Sequence, residues 1–122
     1  MPRMITVHHL ENSRSQRVLW LLEELGLPYE VRRYRRDPAT LLAPPELARV
    51  HPLGKSPVIT EGQGADAVTV AESGAIIEYL VETYGHLAGA ELAGLQPALG
   101  TPEHRQCRFW MHYAEGSLMN WL

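Results

Sequence analysis

A single cysteine, Cys107, stands in the whole sequence. An intrachain disulfide is therefore excluded, and so are the paired C-x-x-C arrangements of dithiol exchange and of zinc ribbons. Long apolar runs are missing as well. No stretch approaches the roughly 20 residues of a membrane span, and the start MPRMITVHHL has no apolar core of a secretory signal. Neither sign of charge dominates: 11 basic residues face 14 acidic ones, for a formal net charge of -3. Such a balance leaves no global field to attract nucleic acid or anionic lipid. The basic run Arg32, Arg33, Arg35 and Arg36 divides between two faces in strand geometry and reads as a solvated strand end. His8 and His9 point to opposite sides of a strand, and His104 and His112 lack carboxylate or cysteine company at ligand spacing, so no metal site is expected. The expectation is a soluble protein of a reducing cytoplasm, without nucleic-acid or membrane partners.

What is present is a change of hydrophobic period along the chain. At 122 residues and 45% hydrophobic content, the chain has room for one compact core. MITVHHL (4–10) is β-rich. Val18, Leu19, Leu22 and Leu25 then recur at helical spacing as far as Gly26 and Pro28. Tyr29 to Tyr34 alternates apolar and charged residues, which predicts a half-buried strand. Pro44, Pro45, Pro52 and Gly54 break the next stretch, leaving room only for a short helix near 45–50. PVIT (57–60) and AVTV (67–70) flank EGQGAD, a link of hairpin length, and should pair antiparallel. In 72–85, Ile76, Ile77, Leu80, Val81 and Tyr84 share one helical face that stops at Gly85. The predicted order is βαβαββα, an α/β arrangement.

A domain is expected over 1–85, followed by an Ala- and Gly-rich linker over 86–101. Thr101 and Pro102 read as N-cap and first residue of a helix in 102–122. Trp110, Tyr113, Leu118 and Trp121 are large apolar groups with too little chain after them to cover them. We therefore expect a truncated chain, with the partner of this helix outside it.

Three stretches, SRSQRVLWLLEELGLPYE, HPLGKSPVI and ESGAIIEYL, stand in the order and approximate separation used by the cytosolic glutathione S-transferases. The chain resembles that family over about residues 4–85, and partially over 102–122. The resemblance implies a thioredoxin-like βαβαββα domain and the beginning of an all-α C-terminal domain. It further implies a transferase of the serine type found in theta-like and bacterial or fungal members, active in detoxification. Such an enzyme uses glutathione as co-substrate, attacks a small electrophile without a metal, and forms a homodimer at full length.

The resemblance assigns roles residue by residue. Serine-type members carry the catalytic serine four residues before an arginine, which here are Ser13 and Arg17. A serine hydroxyl can donate a hydrogen bond to a thiolate, and a helix N-terminus adds free N–H groups and a favourable dipole. Ser15 is the second candidate, and His9 or Asn12 could contribute. The sequence also allows a simpler account, in which Ser13 and Gln16 form an S-x-x-Q capping box. Ser56 would align the cysteinyl backbone of glutathione ahead of a cis Pro57, and Lys55 would pair with a carboxylate. Glu72 would take the γ-glutamyl ammonium and Ser73 the adjoining carboxylate. Trp110, Tyr113 and Ser117 fall where the family's second domain begins to line the electrophile pocket. A non-catalytic binding or assembly module, and a glutathione-dependent peroxidase or dehalogenase, are the alternative readings of the same residues.

Overall fold

The computed structural model describes residues 3–87 and 95–119. The chain divides into two compact units, Met1–Ile77 and Glu78–Leu122, with the division inside a helix. In the first unit, β1 (Ile5–Leu10) leads into α1 (Ser15–Leu25), β2 (Tyr29–Tyr34) and the short α2 (Glu46–Val50). The hairpin β3 (Val58–Glu61) and β4 (Val68–Ala71) follows, and α3 (Ser73–Tyr84) begins directly after it. This is the βαβαββα order expected. The sheet order is β2-β1-β3-β4. β2 runs parallel to β1, while β3 is antiparallel to both β1 and β4.

Strand β1 is central because its residues can be buried on both faces. Ile5, Val7, His8 and Leu10 are all buried, as are Val58 and Ile59 on the neighbouring strand. Helix α1 buries Ser15, Val18, Leu21, Leu22 and Leu25, a stripe at the spacing of one helical face. Trp20, on its far side, is 57% exposed. Two backbone bonds stop the helix, Gly26 N–H to Glu23 O and Leu27 N–H to Leu22 O. The reversal needs φ of 66° at position 26, where glycine carries no steric penalty.

One expectation fails at β2. Alternation predicted a buried face, yet Glu30, Val31, Arg32 and Arg33 are all exposed, Val31 at 42%. β2 is an edge strand, so its period-2 pattern reports strand geometry without the cover that an inner strand receives.

In the second unit, Thr101 Oγ1 accepts from His104 N–H at 3.1 Å and Pro102 occupies the first turn of α4 (Pro102–Tyr113). A π-helical turn, Ala114–Leu118, continues it. Phe109 and Trp110 are more than half exposed, and Phe109, Trp110 and Tyr113 pack ring against ring. Trp121 and part of the predicted linker lie outside the described residues. Among the described residues no helix is long and apolar enough to cross a membrane.

A buried polar chain crosses the first unit's sheet. The His8 ring lies 2.7 Å from Tyr34 Oη through Nδ1 and 3.0 Å from Thr60 Oγ1 through Nε2. Both nitrogens of a neutral imidazole are thereby satisfied. Burial, together with the Arg32 guanidinium, holds His8 below its usual value of 6.5. The unfolded chain then takes up the proton first as the medium acidifies. The stability contributed by neutral His8 is therefore present above about pH 6.5 and is lost as pH falls through the folded-state value. Urea unfolding between about pH 7.5 and 5.5 should show a falling midpoint, and His8→Gln should flatten that fall. An equal fall in both proteins would place the proton uptake elsewhere.

Candidate functional site

At the carboxyl end of β1 the first unit opens a cleft of about 670 Å³. Ser13, Lys55, Ser56, Pro57, Glu72 and Ser73 all line it. Three separate segments supply them: the β1–α1 turn, the loop before β3, and the start of α3. Ladder register brings these segments together, because His8 pairs with Val58 and Val58 with Ala71. Pro57 and Glu72, the next residues out along β3 and β4, and Leu10, two residues on along β1, line the cleft.

The β1–α1 turn is held by an arginine that sequence reasoning discounted. Arg36 does not behave as a solvated strand end. Its Nε donates to Glu11 O at 2.9 Å, its Nη2 to Asn12 O at 3.0 Å and its Nη1 to Leu41 O at 2.9 Å. One guanidinium thus ties the Ser13 turn to the loop after β2, and Arg36 itself lines the cleft. Nothing in a run of arginines marks which one will meet three backbone carbonyls. Asn12 adopts φ of 55°, a left-handed conformation that asparagine tolerates.

The capping box does not form. Arg14 stands at the N-cap position of α1 without a side-chain cap bond. Ser13 Oγ instead accepts from Ser15 N–H at 3.3 Å, two residues on. Ser15 is fully buried and absent from the cleft wall. Its Oγ lies 2.5 Å from His9 Nδ1 and 2.8 Å from Ser13 Oγ. Ser13 is half-buried at the cleft end of this chain of hydroxyls.

Ser56 closes the sheet. Its Oγ donates to His8 O at 2.8 Å and accepts from Leu10 N–H at 3.2 Å. It also stands 3.3 Å from Ser13 Oγ. The Ser56–Pro57 peptide is cis, as the resemblance implied. Ser56 follows the last β1–β3 pair, His8 with Val58, so its own backbone lies outside that ladder. Glu72 is exposed and adopts φ of 77°, uncommon for a residue with a side chain. Ser73, the first residue of α3, is buried at 5% exposure.

The three second-unit candidates are placed separately. Tyr113 and Ser117 line a surface depression of about 400 Å³ with Arg105, Arg108, Phe109 and His112. Trp110 stands edge-on to Tyr113, with ring centroids 5.5 Å apart, but does not line that depression.

Comparison with known proteins follows the same residues. The sequence profile described as "Glutathione S-transferase, N-terminal domain" matches residues 13–83. Glutathione S-transferase 3 of Schizosaccharomyces pombe is 43% identical over 117 residues, covering 95% of this chain and 43% of that protein. A solved glutathione S-transferase from Actinobacillus pleuropneumoniae is 41% identical with a TM-score of 0.71, covering 88% of this chain and 46% of that one. A glutathione transferase family member from Pseudomonas fluorescens, solved with two glutathione bound, is 27% identical with a TM-score of 0.71, covering 97% and 48%. The chain spans less than half the length of each of these relatives.

The backbone at Glu72 supports a prediction on stability. A left-handed residue with a side chain costs of order 1 kcal/mol relative to glycine. Glu72→Gly should therefore raise the urea midpoint, by up to about 1 kcal/mol of stability. A lower midpoint would mean that the carboxylate's own interactions outweigh the backbone strain.

Proposed function

From the premise that the chain belongs to the glutathione S-transferase family, we propose that its cleft binds glutathione and that Ser13 stabilises the tripeptide's thiolate for attack on an electrophilic carbon. The observation that carries this reading is the convergence of Ser13, Lys55, Ser56, Glu72 and Ser73 on one cavity. A thiol with a pKa of about 8.5 is only a few per cent ionised at neutral pH, and the thiolate is the nucleophile. Serine is no base by itself. Its hydroxyl favours the charged sulfur by donating a hydrogen bond, and the first-turn N–H groups of α1 lie beside it.

Binding divides along the cleft. Ser56, placed after the ladder has ended, has a backbone free to meet the cysteinyl residue as a short added strand. Glu72 supplies a carboxylate for the γ-glutamyl ammonium. Ser73 and the first N–H groups of α3 suit the neighbouring carboxylate. Lys55, exposed at the rim, suits the carboxylate at the other end as a point charge. The reaction is then displacement or addition by sulfur, with no metal required. Cytoplasmic location, a role in detoxification, homodimer formation, an electrophile site that includes Trp110, Tyr113 and Ser117, and a domain boundary near 85 belong to the same proposal.

Calorimetric titration with reduced glutathione, paired with ultraviolet titration of the bound thiolate, tests it. Ser13→Ala should raise the bound thiol's pKa by about one unit while weakening glutathione binding by less than about tenfold. An unchanged thiol pKa would remove Ser13 from the chemistry. Glutathione binding with no turnover of any electrophile would turn the protein into a binding module.

A further inference from the structure

The turn at the end of β1 contains a buried hydroxyl that thiolate binding leaves unexplained. Ser15 Oγ has two close neighbours, His9 Nδ1 at 2.5 Å and Ser13 Oγ at 2.8 Å, and is shielded from solvent. At those distances a proton must lie in each gap, because two lone pairs facing each other would repel. Ser15 has one hydroxyl proton to place. An order in which both neighbours donate to Ser15 would draw Ser13's proton inward and leave Ser15's buried proton without an acceptor among the described residues, so two satisfied orders remain.

In the first order, Ser15 donates to His9 Nδ1, and Ser13 must then donate to Ser15. Ser13's only proton is drawn inward. In the second, His9 donates from Nδ1 to Ser15, and Ser15 donates to Ser13. Ser13's proton is then free to leave the chain. Its other neighbour, Ser56 Oγ, lies at a weaker 3.3 Å and already spends its own proton on His8 O. Only the second order lets Ser13 donate to a sulfur in the cleft.

Resting on the reading that Ser13 meets the thiolate, we infer that His9 is the positioning residue of Ser13, acting through Ser15, and that a bound thiolate requires His9 to donate from Nδ1. Either the neutral Nδ1–H imidazole or the imidazolium satisfies the requirement, since both carry a proton there. Coupling runs both ways. The thiolate selects the donating form of His9, and the donating form favours the thiolate. In the neutral ring the reversal takes a proton up at Nδ1 and gives one up at Nε2, with no net change; in the imidazolium Nε2 keeps its proton and the ring gains one, which ionisation of the bound thiol can supply. Two hydrogen bonds change direction together as Ser13 forms a third to the sulfur, and such chains reinforce one another.

Nitrogen-15 NMR of the histidine rings in the purified protein reads the order directly. Glutathione, at a pH where its bound thiol is ionised, should bring His9 to the Nδ1-protonated form. S-methylglutathione, which fills the cleft without a thiolate, should leave His9 as it is in the free protein if that protein rests in the first order. If the free protein already holds Nδ1–H, methylated ligand and thiolate alike should leave it so. In Ser13→Ala the thiolate should no longer influence His9. His9→Asn, whose amide can donate from a similar place, should keep the thiol pKa within about half a unit of the parent. A glutathione complex in which Nδ1 is unprotonated overturns the inference; if Ser13→Ala still raises the thiol pKa in that case, the role of Ser13 stands. Failure of Ser13→Ala to alter the thiol pKa overturns both.

Discussion

Strand β1 outruns its antiparallel partner. The β1–β3 ladder ends at His8 and Val58, while β1 continues to Leu10 inside the protein, so polar backbone groups there must find partners off the ladder. One side chain provides for two of them: the Ser56 hydroxyl takes Leu10 N–H and gives its proton to His8 O. This joint sets where the β1–α1 turn stands against the loop before β3, and thus where Ser13 stands relative to Ser56. The cleft depends on it. Without such a substitute, the end of a central buried strand would carry unsatisfied groups, each costing about 1–3 kcal/mol.

Around that joint, local geometry is held by groups whose work is not chemical. Arg36 gathers carbonyls from Glu11, Asn12 and Leu41, fixing a turn in which Asn12 is left-handed. Glu72 is likewise left-handed at the other wall. Both residues line the cleft, and hydrogen bonds to their carbonyls, from Arg36 Nη2 to Asn12 O and from Ile76 N–H to Glu72 O, help hold the less favourable backbone. Strain of this kind is common where a ligand is held, because the ligand's geometry, and not the chain's preference, decides the conformation.

The proposed chemistry asks little of any single residue. A serine can shift a thiol's ionisation only by the strength of one hydrogen bond and its setting at a helix start. The hydroxyl chain behind Ser13 matters for that reason. A donor with one proton and several acceptors nearby is effective only if those acceptors are occupied from elsewhere, and Ser15 with His9 can do this.

Much of the fold was legible beforehand. Period changes located the strands and helices of the βαβαββα order, and Gly26 and Thr101 marked a stop and a start through chemistry that is local to the turn. The family-carrying stretches named Ser13, Lys55, Ser56, Pro57, Glu72 and Ser73, which the cleft brings together. Local pattern misled where the outcome depended on distant groups. The S-x-x-Q pattern suggested a cap, but Ser13's hydroxyl went to Ser15 and towards Ser56, 43 residues away. Alternation in β2 suggested burial, but an edge position withheld it. Arg36 looked like its neighbours. By itself, then, the sequence determined periodicity, turns and residue types, because these act over a few bonds. Which hydroxyl faces which, which arginine is a clamp and which strand lies at the edge were decided only by tertiary structure, because hydrogen bonds and burial depend on groups that the chain brings together only when folded.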